Sequence, residues 1–274
     1  MKLEHETDPP ASEANSYEPL KTVQKTMLVL EELNRYPTRR VQELCAVTAI
    51  PASTMIRILE TLCDMGYVRK LSRRTGYCLT PKITSLSAGY HGLPRVFNAI
   101  RRVADALTEQ IRWPCAICTF DVNAMVVRYS TIPSSPLSHK HSTLNRRLDM
   151  LTRAHGRAWM AFVEDEERRR IWEVLIRSGL HAGPVGALEA EMADVLDSVR
   201  QTGVARRDSA TEPDTTTFAV PVFVGPKLVA TLGVTHFARA KSDPAMLIDT
   251  MRRASTELRN LGPEASSAED PRPD

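Results

Sequence analysis

The sequence has no long apolar run. Its most hydrophobic stretch, residues 218–234, is broken by Pro221, Gly225, Pro226 and Lys227, whereas a membrane helix needs about 20 nearly unbroken apolar residues. Residues 1–20 hold Pro9, Pro10, Pro19 and five acids but no apolar core. They read as a disordered acidic arm and not as a secretory signal. Cysteine is scarce: five residues, an odd number at irregular spacing, which excludes a disulfide scaffold and predicts reduced thiols in a cytoplasmic protein. Cys115 and Cys118 form a lone C-x-x-C on an expected strand, where positions i and i+3 face opposite sides. No second pair completes a zinc site, so structural thiols are favoured over redox or metal chemistry, and no metal or cofactor is expected. The sequence also lacks a G-x-S-x-G elbow, a P-loop, an H-E-x-x-H and a dinucleotide fingerprint, which argues against an enzyme.

Net charge is low, +3 over 274 residues, but its distribution is uneven. The first twenty residues carry −4, residues 21–90 carry +6, residues 91–261 carry +4 and residues 262–274 carry −3. A compact basic block ahead of a balanced body fits a polyanion-binding head on a separate domain, with a chance excess on a solvated face as the competing reading. The expected division is an arm (1–20), a head (21–81), a linker helix (82–93), a sensing domain (94–261) and a disordered tail (262–274).

Within the head, Val23, Met27, Leu30 and Leu33 recur at helical spacing and predict one inward face. Pro37 stops that helix, and Thr38 is placed to cap a second, with Val41 and Leu44 inward. Pro51 suits the first position of a third helix, whose stripe is Met55, Leu59 and Leu62, and Gly66 closes it. Residues 67–80 alternate around Arg73-Arg74-Thr75-Gly76 and predict a hairpin. Three short helices and a hairpin make a winged helix-turn-helix. A helix start approaches base edges in the major groove, which nominates Pro51, Ala52, Ser53, Thr54 and Arg57 for contact with double-stranded operator DNA. Arg73 and Arg74 at the wing tip, with Lys21, Arg39 and Arg40, suit phosphates or the minor groove. Winged helices also bind proteins, but the clustering of basic residues favours DNA.

The body reads as mixed α+β. A linker helix and a long helix span residues 83–110. Strands are expected at 115–120, 124–131, 220–224 and 228–237, and helices at 154–163, 164–177, 188–201 and 244–260, the last capped by Ser242. Together they form an antiparallel sheet with helices on one side, the pattern of small-molecule sensor domains. Residues 132–147 form a loop carrying His139 and His141.

These residues resemble the IclR family of bacterial transcription regulators. The head carries the resemblance at Ile50-Pro51-Ala52-Ser53-Thr54-Met55-Ile56-Arg57-Ile58-Leu59-Glu60-Thr61-Leu62, followed by Gly66-Tyr67-Val68. The body carries it at Thr152-Arg153-Ala154-His155-Gly156-Arg157-Ala158, at Ala219-Val220-Pro221-Val222 and along residues 228–235. Within the family, Trp113-Pro114, residues 121–128, Arg146-Arg147-Leu148 and Trp159-Met160-Ala161-Phe162 resemble activators of hydroxyphenylpropionate catabolism. Residues 132–141 and 208–216 depart from them.

The resemblance implies a GAF-like effector-binding domain and dimerisation through the head and linker, and often a dimer of dimers. For an activator it also implies contact with RNA polymerase. Carried position by position, it nominates Leu151, His155, Gly156, Thr217, Gly233 and Thr235 for an effector, with Gly233 unable to donate a side-chain hydrogen bond where relatives have serine. From the residues themselves, Arg128 can fork onto a carboxylate or form a structural ion pair. Trp113 can stack on an aromatic ring or sit in the core, and His139 can meet a phenol or simply be solvated. The expected function is a ligand-responsive regulator, an activator of an aromatic-acid operon whose effector is an aromatic carboxylate. A repressor answering another small carboxylate, an enzyme with a DNA-binding head and a constitutive DNA binder are the rival readings.

Overall fold

The computed structural model describes residues 19–72, 74–89, 95–138, 140–240 and 243–260. Arg73, His139 and Ser242, the tail, and the arm apart from Pro19 and Leu20 lie outside the described residues. The chain divides into two compact units, 1–85 and 86–274.

The first unit holds α1 (Lys21–Arg35), α2 (Val41–Thr48), α3 (Ala52–Asp64), β1 (Val68–Ser72) and β2 (Gly76–Leu79). Val29, Leu33, Leu44, Met55, Leu59, Leu62, Val68 and Tyr77 form its core. The face of α1 differs from the expected one. Val29, Leu33 and the aliphatic part of Glu32 are inward, while Val23 and Met27 are 55% and 51% exposed. Among the described residues, the head therefore leaves the apolar stripe at the start of α1 exposed.

The chain bends by 115° between α2 and α3, within the range of a helix-turn-helix. Ala49 makes the turn in the left-handed region, at φ 55°. Helix starts also differ from expectation. Arg40, not Thr38, is the N-cap of α2: its backbone N–H donates to Glu43 Oε2 at 2.8 Å. Pro51 is the N-cap of α3 and not its first helical residue. The antiparallel β1–β2 hairpin is tied to the helices by a two-way backbone bridge between Tyr77 and Arg39, at 2.8 and 2.9 Å. Gly76 is required there. Its φ is +91°, and a Cβ would lie 2.1 Å from the Arg39 carbonyl oxygen.

A 3-10 helix (Pro81–Ser87) stands where the linker helix was expected. The second unit continues with α4 (Arg95–Ile111), β3 (Cys115–Asp121), β4 (Ala124–Ser130), β5 (Arg147–Leu148), α5 (Ala154–Phe162), α6 (Asp165–Arg177) and α7 (Val185–Thr202). It ends with β6 (Ala205–Arg206), β7 (Thr215–Val224), β8 (Lys227–Phe237) and α8 (Pro244–Asn260).

The sheet is antiparallel in the order β5-β4-β3-β8-β7-β6. Helices cover both of its faces, not one. Alternation along β7 separates the two cores: Phe218, Val220 and Val222 pack with α4 and α8, and Ala219 packs with α5, α6 and α7. Two buried faces explain why β7 and β8 read as nearly continuous apolar runs and not as clean alternation. Cys115 joins the first core and Cys118 the second. The two thiols thus point to opposite faces, and burial pushes the pKa of Cys115 up to about 12. No single helix among the described residues is long and apolar enough to cross a membrane.

Candidate functional site

On the first unit, the exposed side chains at the start of α3 are those of Pro51, Ala52, Ser53 and Arg57, with Thr54 half-buried. They form the edge that a helix-turn-helix presents to a groove. Lys21 and Arg74 are exposed, and Arg73 lies outside the described residues. Arg39 and Arg40 differ from the free phosphate-contacting cations expected. Arg39 donates to buried Glu32 at 2.9 Å and stacks over Tyr36 at 3.6 Å, so it neutralises a carboxylate inside the head. Arg40 is exposed, but its guanidinium donates twice to Glu43 Oε1, at 2.7 and 3.1 Å. That side-chain hydrogen bond raises the Arg40 pKa and lowers that of Glu43.

On the second unit, a cavity of about 80 Å³ opens on the α5 side of the sheet. Ala116, Val127, Thr217 and Thr235 form its floor, and Arg153, Ala154 and His155 at the start of α5 form a wall. The irregular segments that bear Ile132, Lys140, Arg146 and Glu212 close it. Its apolar lining is Pro114, Ala116, Val127, Ile132, Leu148 and Ala154.

The lining is also charged: four cations meet one carboxylate in it. Glu212 Oε1 accepts from Lys140 Nζ at 3.1 Å and Arg146 at 2.6 Å and is ion-paired with Arg153 at 3.2 Å, and Glu212 Oε2 accepts from Arg207 at 3.0 Å. Burial works to raise the Glu212 pKa, but hydrogen bonds and charge from Arg146 and Lys140 hold it far below the carboxylate range. Burial lowers the pKa of Lys140, helped by Arg146. Arg207 is the most enclosed of the four. It also donates to the carbonyl of Glu212, to Thr217 Oγ1, and to the carbonyl and hydroxyl of Thr215. The cluster keeps an excess of positive charge around a partly apolar cavity, an arrangement suited to an organic anion.

The residues around His155 form a fixed wall. Its Nδ1 lies 2.8 Å from Thr231 Oγ1, and burial drives its pKa down to about 4, so the ring is neutral near pH 7. A Cβ on Gly233 would lie 2.5 Å from His155 Nε2. The ring therefore fills the space that a serine at 233 would need. Gly156 is equally tight, since a Cβ there would lie 2.3 Å from the Met150 carbonyl oxygen. Thr217 and Thr235 are bonded to each other at 3.0 Å on the cavity floor.

The sequence comparisons decide what this pair of units is. The IclR helix-turn-helix domain model matches residues 22–72, and the model of the bacterial transcriptional regulator IclR C-terminal domain matches residues 95–258. The chain belongs to the IclR family. As an IclR regulator it is a ligand-responsive, DNA-binding transcription factor and not an enzyme.

The chain is 26% identical over 209 residues to the HTH-type transcriptional regulator KdgR of Dickeya chrysanthemi. That match covers 74% of this chain and 66% of the relative, just under two thirds of its length. Among solved structures, Thermotoga maritima IclR superposes with a TM-score of 0.61 at 16% identity, covering 87% of this chain and 97% of that one. An IclR homolog from Microbacterium hydrocarbonoxydans complexed with 4-hydroxybenzoate gives 0.59 at 16% identity, covering 87% and 98%. At such identity these two establish the fold.

The IclR cavity brings together His155, Thr217 and Thr235 from the residues singled out in the sequence. Gly156 and Gly233 are not in its lining: the first is packed on the Met150 backbone and the second on the His155 ring. Leu151 is buried in the α5–α7 core. Trp113 is a core residue of the opposite face, edge-on to His236 and Phe237. Arg128 lies off the cavity: its Nε donates to Thr119 Oγ1 at 3.1 Å and its guanidinium is 3.7 Å from Asp121. His141 is exposed and His139 lies outside the described residues.

Lys140, Arg146, Arg153, Arg207 and Glu212 were missed as site residues. The density of cations over residues 140–157, together with Arg206-Arg207, was the available signal. Among the described residues, no group of three or more His, Cys, Asp or Glu could hold a metal ion.

Proposed function

We propose that this IclR regulator binds operator DNA through the exposed start of α3 and the wing, and answers an organic carboxylate bound in the cavity of its second unit. The observation that carries the reading is the meeting of Lys140, Arg146, Arg153 and Arg207 in a cavity whose lining is otherwise partly apolar. Arginine forks match carboxylate geometry, and charge-assisted hydrogen bonds are roughly twice as strong as neutral ones. The apolar lining takes the body of the effector.

An aromatic acid is the first choice for that body. The apolar lining favours it, as does the 4-hydroxybenzoate held by the Microbacterium homolog. One observation favours a second reading, a short keto or hydroxy acid. The cavity, about 80 Å³, is smaller than the roughly 150 Å³ cavity that holds benzene in another protein. An aromatic acid therefore requires a closing segment to yield, whereas a short acid does not.

The regulatory direction in this reading is activation of an aromatic-acid operon, with RNA polymerase as a partner. It follows the likeness of Trp113-Pro114 and residues 121–128 to activators of hydroxyphenylpropionate catabolism. A second copy of the chain is a further proposed partner, supported by the uncovered apolar residues Leu20, Val23, Met27 and Leu28 on and beside α1.

Regulation requires only that the effector bind one state of the protein better than another. A thermal-shift screen of the full-length protein against benzoates, phenylpropionates, cinnamates and short keto acids tests the effector class. Stabilisation by carboxylates but not by their amides is expected, and stabilisation by neutral analogues alone overturns the reading. A promoter reporter that rises on deletion of the gene reverses the assigned direction.

A further inference from the structure

We propose that Glu212 is a tethered counter-ion standing in the position of the effector's carboxylate, so that effector binding exchanges one carboxylate for another. This rests on the reading of the cavity as a carboxylate site.

Three observations carry it. First, the cations come from elsewhere in the chain. Lys140 and Arg146 lie in the segment before β5 and Arg153 is the N-cap of α5, while Glu212 lies between β6 and β7. One oxygen, Glu212 Oε1, meets all three: it accepts from Lys140 and Arg146 and is ion-paired with Arg153 at 3.2 Å. A carboxylate oxygen offers about two lone-pair sites, so Lys140 and Arg146 fill it, and Arg153 is held by charge without a hydrogen bond. A free carboxylate, aligned without a tether, can share its two oxygens among them.

Second, Arg207 keeps other partners without the Glu212 carboxylate: Thr217 Oγ1, both oxygens of Thr215 and the Glu212 carbonyl. Exchange therefore leaves the floor of the cluster in place.

Third, the segment bearing Glu212 is held by its backbone, so the side chain can leave alone: the Glu212 carbonyl accepts from the Thr215 N–H at 3.1 Å and from Arg207 at 2.9 Å. Asp208 is fixed by Arg157 at 2.9 Å and by its N–H on the Thr152 carbonyl at 2.9 Å, and Thr215 begins β7. Between them Glu212 adopts a left-handed φ of 54°. Its side chain is 29% exposed, which gives it a path to solvent. Its departure also clears part of the lining of a cavity too small for a ring.

The test is calorimetry of the full-length protein and its Glu212→Gln variant with sodium benzoate and sodium pyruvate, using benzamide as the neutral control. Removing the competitor is expected to tighten carboxylate binding by about tenfold or more while leaving benzamide unchanged. The unliganded variant is expected to melt lower than wild type and to recover on adding a carboxylate. Should Glu212→Gln not fold, Glu212→Asp, which keeps the charge but has a shorter reach, must still bind benzoate or pyruvate more tightly than wild type.

Carboxylate binding by the variant alone supports the exchange. If wild type binds and Glu212→Gln binds equally or more weakly, Glu212 positions the cations. The exchange is then overturned while the carboxylate reading stands. If benzamide gains as much as benzoate, vacated space and not charge is responsible, and the exchange is again overturned. If neither protein binds either acid, the carboxylate reading falls and the exchange with it.

Discussion

Gly233 offers the sharpest stability prediction, because its neighbour cannot move freely. A Cβ there would lie 2.5 Å from Nε2 and 2.6 Å from Cε1 of His155, and 3.0 Å from the Phe218 carbonyl oxygen. His155 is buried and held to Thr231 Oγ1 at 2.8 Å. Gly233→Ala must therefore overpack this layer, at about 1–3 kcal/mol, or push the ring off Thr231. The second route leaves a buried polar group unpaired, at about 1–3 kcal/mol. With both routes partly taken, the loss is about 2 kcal/mol or more, which lowers the melting temperature of a unit this size by roughly 4–8 °C.

The assay is a double-mutant cycle with His155→Ala, read by thermal and urea melts of the second unit's transition. In the His155→Ala background the added methyl enters vacated space, so the cycle should give a favourable coupling of about 1–3 kcal/mol. Additivity within about 0.5 kcal/mol would refute the claim that the His155 ring is what requires glycine at 233.

Other expectations follow from the same structure. Arg57→Ala should abolish operator selection in footprinting while leaving effector binding intact, and an unchanged footprint removes α3 as the reading helix. Arg153→Ala should weaken carboxylate binding by about 1.5–3 kcal/mol, the range for a charged hydrogen bond, whereas Arg128→Ala should leave it unchanged by calorimetry. Gly76→Ala should destabilise the head selectively, seen as early loss of DNA binding on heating, because its Cβ would meet the Arg39 carbonyl. Finally, His155 has a folded pKa of about 4 against an ordinary 6.5. Between those values the unfolded chain binds the extra proton, so stability should fall as pH drops from 6.5 to 4, by about 3 kcal/mol at most. His155→Asn should flatten that part of the melting-temperature profile.

The head was legible because its signals are local. Pro51, the Met55-Leu59-Leu62 stripe and Gly66 each act within a turn or two of their own position. The error on α1 has a local cause as well: Val23 and Met27 share the period of Leu30 and Leu33 but project beyond the head's own core. The body was legible strand by strand and helix by helix. The two-sided cover was not, because alternation is hidden when Phe218, Ala219 and Val220 are all buried. The two-residue strands β5 and β6 carry no pattern of their own. The charged lining of the cavity was hidden for another reason. Glu212 and Arg146 are neighbours only after the sheet is assembled, and a lone glutamate in a polar segment gives no sign that four cations will converge on it. Trp113 and Arg128 misled because an aromatic or an arginine beside a strand looks the same in sequence whether it faces a ligand, a core or a hairpin partner.

The sheet order has a consequence for how the sensor is made. β3 lies beside β8, with Cys115 opposite Val234, so the central pairing joins the two ends of the domain. Ala116 and Val127 are synthesised early, Thr217 and Thr235 late, and the cavity has no floor until the last strand is in place. Pairings of such long sequence separation form slowly, and a chain emerging from the ribosome must wait for nearly the whole domain before the effector has anywhere to bind. The effector therefore cannot template the early steps of folding. It can only stabilise the finished domain, so its concentration should change how long the folded regulator survives and not how fast it first forms.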